Sequence, residues 1–176
     1  MTNAMLEQIQ ALIRDVPDFP RPGILFHDIT PLLADAKAFA CAIDLLAECI
    51  ARHRSEGIVA IESRGFIFGA ALALKTHLPL QLIRKQGKLP SKSIGISYQL
   101  EYGSDRIEMH ADAIMPDRAY ALVDDLIATG GTAAAAADLI ELQGGEVDCC
   151  VFLIELAFLH GRKRLGNRQI ESLIQY

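Results

Sequence analysis

The chain has 176 residues, of which 51% are hydrophobic and 22% charged. That length suits one domain of ordinary size, and the apolar share is too high for a disordered chain. Seventeen Lys and Arg stand against twenty-two Asp and Glu, a formal net charge of −5, which excludes a protein that coats nucleic acid through its overall charge.

The longest uncharged apolar stretch, Gly65 to Leu74, is far short of the roughly 20 residues that cross a bilayer, so no membrane partner is expected. Met1 to Gln10 has no basic cluster ahead of an apolar run and does not read as a signal peptide. Cys41, Cys49, Cys149 and Cys150 form no Cys-x-x-Cys pair, and the five histidines show no ligand spacing. The cysteines therefore read as buried small hydrophobes rather than a redox or zinc site. A reducing, cytoplasmic compartment fits this pattern.

In chain order, Leu6 to Ile13 reads as a short amphipathic helix ended by Pro17, Pro20 and Pro22. Phe39, Ile43, Leu46 and Ile50 recur at helical spacing and predict a helix over about 38–53, stopped by Ser55-Glu56-Gly57. Ile58 to Ile61 is a continuous apolar run, as in a strand buried on both faces. Glu62 to Gly65 reads as a loop, Phe66 to His77 as an apolar helix and Leu78 to Ile83 as a second buried strand. Arg84 to Arg106 is polar and basic, and reads as a long hairpin-like excursion from the core. Ala119 to Val123 predicts a third strand, ending in Asp124-Asp125. Ala128 to Thr132 is a loop, and Ala133 to Gln143 a helix closed by Gly144-Gly145. Val147 to Ile154 is a fourth strand, Gly161 to Asn167 a solvated basic loop, and Gln169 to Ile174 an edge strand.

Strands alternating with helices predict an α/β fold, a mainly parallel sheet covered by helices. Twice a strand ends in an acid, passes through a glycine-bearing loop and enters a helix. Ligands of such sheets bind outside the carboxyl ends of the strands, so both loops should face one crevice. The stronger loop is Ala128-Thr129-Gly130-Gly131-Thr132. Its amides, its two hydroxyls and the start of the following helix offer an anion site. The helix end alone favours an anion by only about 0.3–1 kcal/mol, so hydrogen bonds must supply the rest. No lysine follows the glycines, which separates the loop from a Walker nucleotide motif. Asp124 and Asp125 would repel a phosphate unless they have other work. Accepting from sugar hydroxyls, or holding magnesium through water, is such work, and a phosphorylated sugar fits both halves.

This strand–Asp-Asp–Ala-Thr-Gly-Gly-Thr element resembles the 5-phosphoribosyl-1-pyrophosphate (PRPP) motif of the type I phosphoribosyltransferase family. Three further segments resemble its adenine-using members: residues 19–33 the base-recognition segment, residues 62–69 the pyrophosphate loop, and residues 83–90 with 98–103 the flexible hood. The resemblance implies the type I fold in a single domain over 1–176, with a small hood that includes about 84–106 and about 17–33. It implies transfer of the phosphoribosyl group from PRPP to adenine, giving AMP and pyrophosphate. Mg²⁺ is implied as cofactor, held through substrate and water rather than by direct protein ligands, and a homodimer is implied.

Residue by residue, the resemblance gives Ala128, Thr129, Gly130, Gly131 and Thr132 to the 5′-phosphate, and Asp124 and Asp125 to the ribose hydroxyls. Ser63 and Arg64 would meet pyrophosphate, with a cis peptide expected between Glu62 and Ser63. Arg84, Lys85 and Lys88 would neutralise pyrophosphate across a dimer interface. Leu25, Phe26 and His27 would contact adenine, and the family usually has Arg or Lys where this chain has His27. Glu101 would be the acid–base group, with Tyr102 beside it in the hood. The alternatives are a related transferase using hypoxanthine, guanine or xanthine, and a non-catalytic protein that senses PRPP. A phospho-acceptor receiver domain also pairs aspartates, but early in its chain. Finally, eight of the seventeen basic residues fall in two acid-free segments, 84–92 and 162–168, so the bulk acidity belongs to the rest of the chain.

Overall fold

The computed structural model describes residues 2–99 and 103–176. Its contacts divide the chain into two compact units, Met1–Leu45 and Leu46–Tyr176. The first holds helix α1 (Thr2–Ala11), strands β1 (Arg14–Pro17) and β2 (Leu25–Asp28), helix α2 (Thr30–Ala34) and the start of α3 (Ala36–Ala51). β1 and β2 pair antiparallel, with Asp15 opposite His27 and Val16 opposite Phe26. This small sheet has no expectation behind it in the sequence. Its strands are four residues long and flank a proline-rich turn, too short for a period-2 pattern to register. Asp35 starts α3 by accepting from the amides of Lys37 and Ala38, both at 3.0 Å.

The second unit contains β3 (Gly57–Ile61), α4 (Gly65–Thr76), β4 (Leu80–Lys85), β5 (Ser93–Gln99), β6 (Ser104–His110), β7 (Ala119–Ile127), α5 (Gly131–Leu142), β8 (Glu146–Glu155) and β9 (Gln169–Gln175). They build a seven-stranded sheet in the order β5-β6-β4-β3-β7-β8-β9. The five strands from β4 to β9 in that order run parallel; β6 pairs antiparallel with both β4 and β5. Ile58, Val59, Ala60, Leu122, Val123, Val151 and Phe152 are fully buried, as continuous apolar runs require of central parallel strands. The expected mainly parallel, helix-flanked sheet is therefore present.

Three expectations change. The segment 84–106 does not leave the core: its hairpin extends the sheet at β4, with Arg84 opposite Glu108, and Ile94, Ile96 and Tyr98 pack on the core cluster. The third strand does not stop at Val123. Pairing with β8 continues to Ile127 opposite Glu155, which puts both aspartates on the strand itself. The basic loop 161–167 is not simply solvated. Residues 161–165 form a 3₁₀ turn in which Gly161 and Leu165 are buried. Arg162 reaches Glu155 with two hydrogen bonds of 2.6 Å and donates to the Ile170 carbonyl and Ser172 Oγ at 2.9 and 3.1 Å. A basic run looks solvated in sequence because its buried acid partner lies in another strand.

The Arg162 hydrogen bonds, despite burial, hold the Glu155 carboxyl below the ordinary glutamate range. A depressed carboxyl contributes stability that is present above its unfolded pKa and lost as pH falls through the folded one. Arg162→Met strands a carboxylate that is 7% exposed, while Arg162 keeps 41% of its own side chain in water. We expect a loss at the low end for a buried ion pair, about 3 kcal/mol, measured by urea denaturation at neutral pH. The deficit should shrink in acid as Glu155 is protonated.

Candidate active site

β3 and β7 are parallel neighbours, with Ala60 opposite Val123, so the chain leaves both at the same end of the sheet. Beyond β3 come Glu62, Ser63 and Arg64; the last residues of β7 are Asp124 to Ile127. A cleft of about 410 Å³ opens there. Its walls carry Ser63, Arg64, Lys85, Asp124, Asp125 and the whole of 128–132. These sequence-assigned residues thus come together although up to 69 positions separate them. Arg84 and Lys88 are not on the cleft wall. The Arg84 side chain points to Glu62, 3.3 Å from Oε2, and donates to the Lys88 carbonyl at 2.9 Å.

The phosphate-type loop is shaped by contact with the 3₁₀ turn. Gly130 has φ of 79°, and a Cβ there would strike the Gly161 carbonyl. A Cβ on Gly161 would in turn strike the Ala128 carbonyl and lie 3.1 Å from the Gly130 amide nitrogen. The two backbones touch where no side chain fits, and α5 starts immediately afterwards with the amide of Ala134 donating to the Gly130 carbonyl at 2.9 Å. Gly130 is thereby held in the left-handed conformation directly before the N-terminus of α5, the kind of backbone that can hold an anion.

The acid pair is crowded. Asp125 is 3% exposed and lies 3.0 Å from Arg64 Nε. Its Oδ2 has no aligned hydrogen bond, so that contact is ionic rather than directional. Asp124 Oδ1 accepts from the Asp125 amide at 2.9 Å and lies 2.8 Å from where a Gly65 Cβ would be, at the start of α4. Burial and then repulsion from Asp125 push the Asp124 carboxyl well above the usual aspartate range. Burial also raises Asp125, with Arg64 pulling the other way. The Glu62–Ser63 peptide is cis, as the resemblance implies.

The hairpin supplies two residues that the sequence left out of the site. Tyr98 and Asp105 are cross-strand partners in β5 and β6. Thr132 Oγ1 donates to the Tyr98 hydroxyl at 3.1 Å, while Asp105 Oδ2 lies 3.2 Å from Lys85 Nζ. Burial raises the Tyr98 phenol. Asp105 resists burial and stays low through the Arg106 amide and Lys85. Tyr98 belonged to the hood-like segment, but its contact with Thr132, 34 residues away, has no local signal. Asp105 had no motif at all.

Glu101 and Tyr102 lie outside the described residues. In the first unit, Leu25 is 47% exposed, the Phe26 ring meets Phe19 edge-on at 5.1 Å, and buried His27 holds Asp15 through Nδ1 at 2.8 Å.

Two strand-end loops, a phosphate-type cradle and a paired carboxylate define a phosphosugar-handling α/β enzyme class. Residues 32–169 match the phosphoribosyl transferase domain model, and the chain belongs to that family. It is 51% identical over 170 residues to the adenine phosphoribosyltransferase of Chloroflexus aurantiacus, covering 97% of this chain and 98% of that one. The crystal structure of adenine phosphoribosyltransferase from Thermoanaerobacter pseudethanolicus is similar with a TM-score of 0.95 and 48% identity, covering 97% of this chain and 99% of the other. The Saccharomyces cerevisiae enzyme, solved with an imino-altritol bisphosphate and adenine, gives 0.91 and 37%, with 97% and 99% covered.

The raised Asp124 carboxyl carries a stability signature. A carboxyl raised on folding contributes stability below its unfolded pKa, which is lost as pH rises through the folded one. The free protein should therefore lose stability from about pH 4 upward on account of this group. Asp124→Asn, which keeps the acceptor for the Asp125 amide, should raise Tm at neutral pH and flatten that decline, checked by thermal melts across pH.

Proposed function

We propose that the chain transfers the 5-phosphoribosyl group of PRPP to adenine, releasing AMP and pyrophosphate in purine salvage. The observation that carries this is the cleft in which Asp124 and Asp125 stand beside the 128–132 cradle, in a chain related over nearly its full length to adenine phosphoribosyltransferases. The whole chain acts as a single phosphoribosyltransferase domain.

The cradle amides and the Thr129 and Thr132 hydroxyls hold the 5′-phosphate. Asp124 and Asp125 accept from the ribose 2′- and 3′-hydroxyls. Ser63, Arg64 and Lys85 meet the pyrophosphate. Arg84 and Lys88, off this chain's own cleft wall, act across the interface of a homodimer. Adenine N9 forms its bond to C1′ as the C1′–oxygen bond to pyrophosphate breaks. Positive charge builds on the ribose ring as that bond lengthens, and the two carboxylates favour it electrostatically. Glu101 takes the proton that adenine loses, with Tyr102 beside it. Leu25, Phe26 and His27 contact the base; since the His27 ring is committed to Asp15, the Phe26 ring and the backbone are the contacts of choice. The Tyr98–Thr132 hydrogen bond supports a hood that seals the phosphate end against water, which would otherwise hydrolyse PRPP.

Magnesium fits this donor set: Asp125 Oδ2 is buried with no aligned hydrogen bond, and hard carboxylate oxygens suit a hydrated hard cation. Asp124 and Asp125 would hold it through water. Bound with PRPP, the ion supplies charge neutralisation for the departing pyrophosphate. The setting is cytoplasmic, and no helix among the described residues is long and apolar enough to cross a membrane.

The deciding experiment supplies PRPP and Mg²⁺ with adenine, hypoxanthine, guanine or xanthine in turn and follows nucleotide formation. AMP formation is expected; turnover of another base with none of adenine overturns the reading. Asp125→Asn should lower kcat/KM for PRPP by at least about a hundredfold, roughly 2.7 kcal/mol of transition-state stabilisation, while circular dichroism shows an intact fold.

A further inference from the structure

Far from the cleft, at the opposite end of the sheet, the chain gathers three metal-type ligands. His53, Asp148 and Cys149 each bring one donor atom, and these atoms lie within 4.8 Å of one another. We propose that they form a zinc site, with Glu171 as the fourth donor.

The geometry begins with a β-bulge. β8 pairs Val147 with Tyr120 and Cys149 with Ala121, so Asp148 is the extra residue. In a regular strand, neighbouring side chains point to opposite faces. A bulge re-aims one of them. Here the Ser55 hydroxyl donates to Asp148 Oδ2 at 2.9 Å and lies 3.6 Å from Cys149 Sγ, so two consecutive side chains reach the same atom. The backbone amide of Arg54 donates to Asp148 Oδ2 at 2.8 Å and fixes that carboxylate from behind. This is the outer-shell support that ligating carboxylates usually have.

The independent observation is His53. Its Nε2 is buried and has no hydrogen-bond partner. It faces Glu171 Oε1 at 3.5 Å, a separation without hydrogen-bond alignment. Glu171 lies on β9 opposite Val151, two residues beyond Cys149 and so on the same face of the sheet. An imidazole nitrogen, a thiol sulfur and two carboxylate oxygens are the donor types that zinc accepts. Tetrahedral ligands at zinc distances stand about 3.3–3.8 Å apart, so the three clustered donors close by up to roughly 1.5 Å on binding, and Glu171, already 3.5 Å from His53 Nε2, swings in from β9 to join them. Burial pushes the Cys149 thiol up to about 12, so the metal-free site keeps its proton. On binding, the Cys149 sulfur–hydrogen bond breaks, a sulfur–zinc bond forms, and the proton passes to solvent. Arg52 and Arg54, beside Glu171 and Asp148, offset the anionic charge. The site would fasten the turn after α3 to β8 and β9. His53 and Cys149 are 96 residues apart, which is why no spacing motif reveals them.

The test uses the full-length protein, stripped of metal and held in excess Mg²⁺ to occupy the cleft carboxylates, and titrated with Co²⁺ and then Zn²⁺. One equivalent of Co²⁺ should give visible bands with a thiolate-to-cobalt charge-transfer band, and Zn²⁺ should displace it and raise Tm. Cys149→Ser should abolish the charge-transfer band. His53→Gln, which leaves the thiol in place, should weaken binding at least about tenfold and cancel the zinc-induced Tm rise. Absence of the thiolate band in the unmodified protein, or identical spectra and affinity in both variants, overturns the proposal.

Discussion

The parallel pairing of β3 with β7 is the constraint on which the site depends. Because these strands run the same way side by side, the chain emerges from both at one end of the sheet, and two unrelated loops become the walls of one cleft. The rest follows from what each loop must do there. One turns into α4 and brings Arg64; the other turns into α5 and brings the anion cradle. The antiparallel β5–β6 hairpin, joined at β4, adds a third wall from outside the parallel block.

That arrangement sets acids against acids. Asp124 and Asp125 are packed against one another with the Arg64 guanidinium close to Asp125, and both resist ionisation through burial. A fold selected only for stability would not retain them. Arg64 with Asp125 and Lys85 with Asp105 pair on the cleft wall, so both of these cations, offered to an anionic ligand, already have a protein acid beside them. Ligand binding there exchanges partners rather than filling an uncharged pocket.

Sequence and structure agree where the signal is local. The apolar runs at 58–61 and 119–123, and the largely apolar segment 147–154, marked the central strands because parallel strands are buried on both faces. The loop 128–132 was legible because its chemistry sits on adjacent residues. What escaped were pairings across the chain. Arg162 looked like one charge in a solvated run because Glu155 is on another strand, and Asp105 had no motif because its meaning comes from facing Tyr98. The β1–β2 ribbon was invisible because four-residue strands carry no usable period. The bulge at Asp148 was invisible for a different reason: alternation is the assumption used to read a strand, and a bulge breaks it.

The contact between Gly130 and Gly161 has a consequence for transplantation. The cradle is read as a contiguous motif, yet its shape is moulded by a carbonyl 31 positions downstream. Grafting residues 124–132 into another α/β scaffold would carry the letters without the mould, and the loop would relax. The portable unit is the cradle together with its supporting 3₁₀ turn. Over evolutionary drift those two segments are expected to change together, as one part encoded in two places.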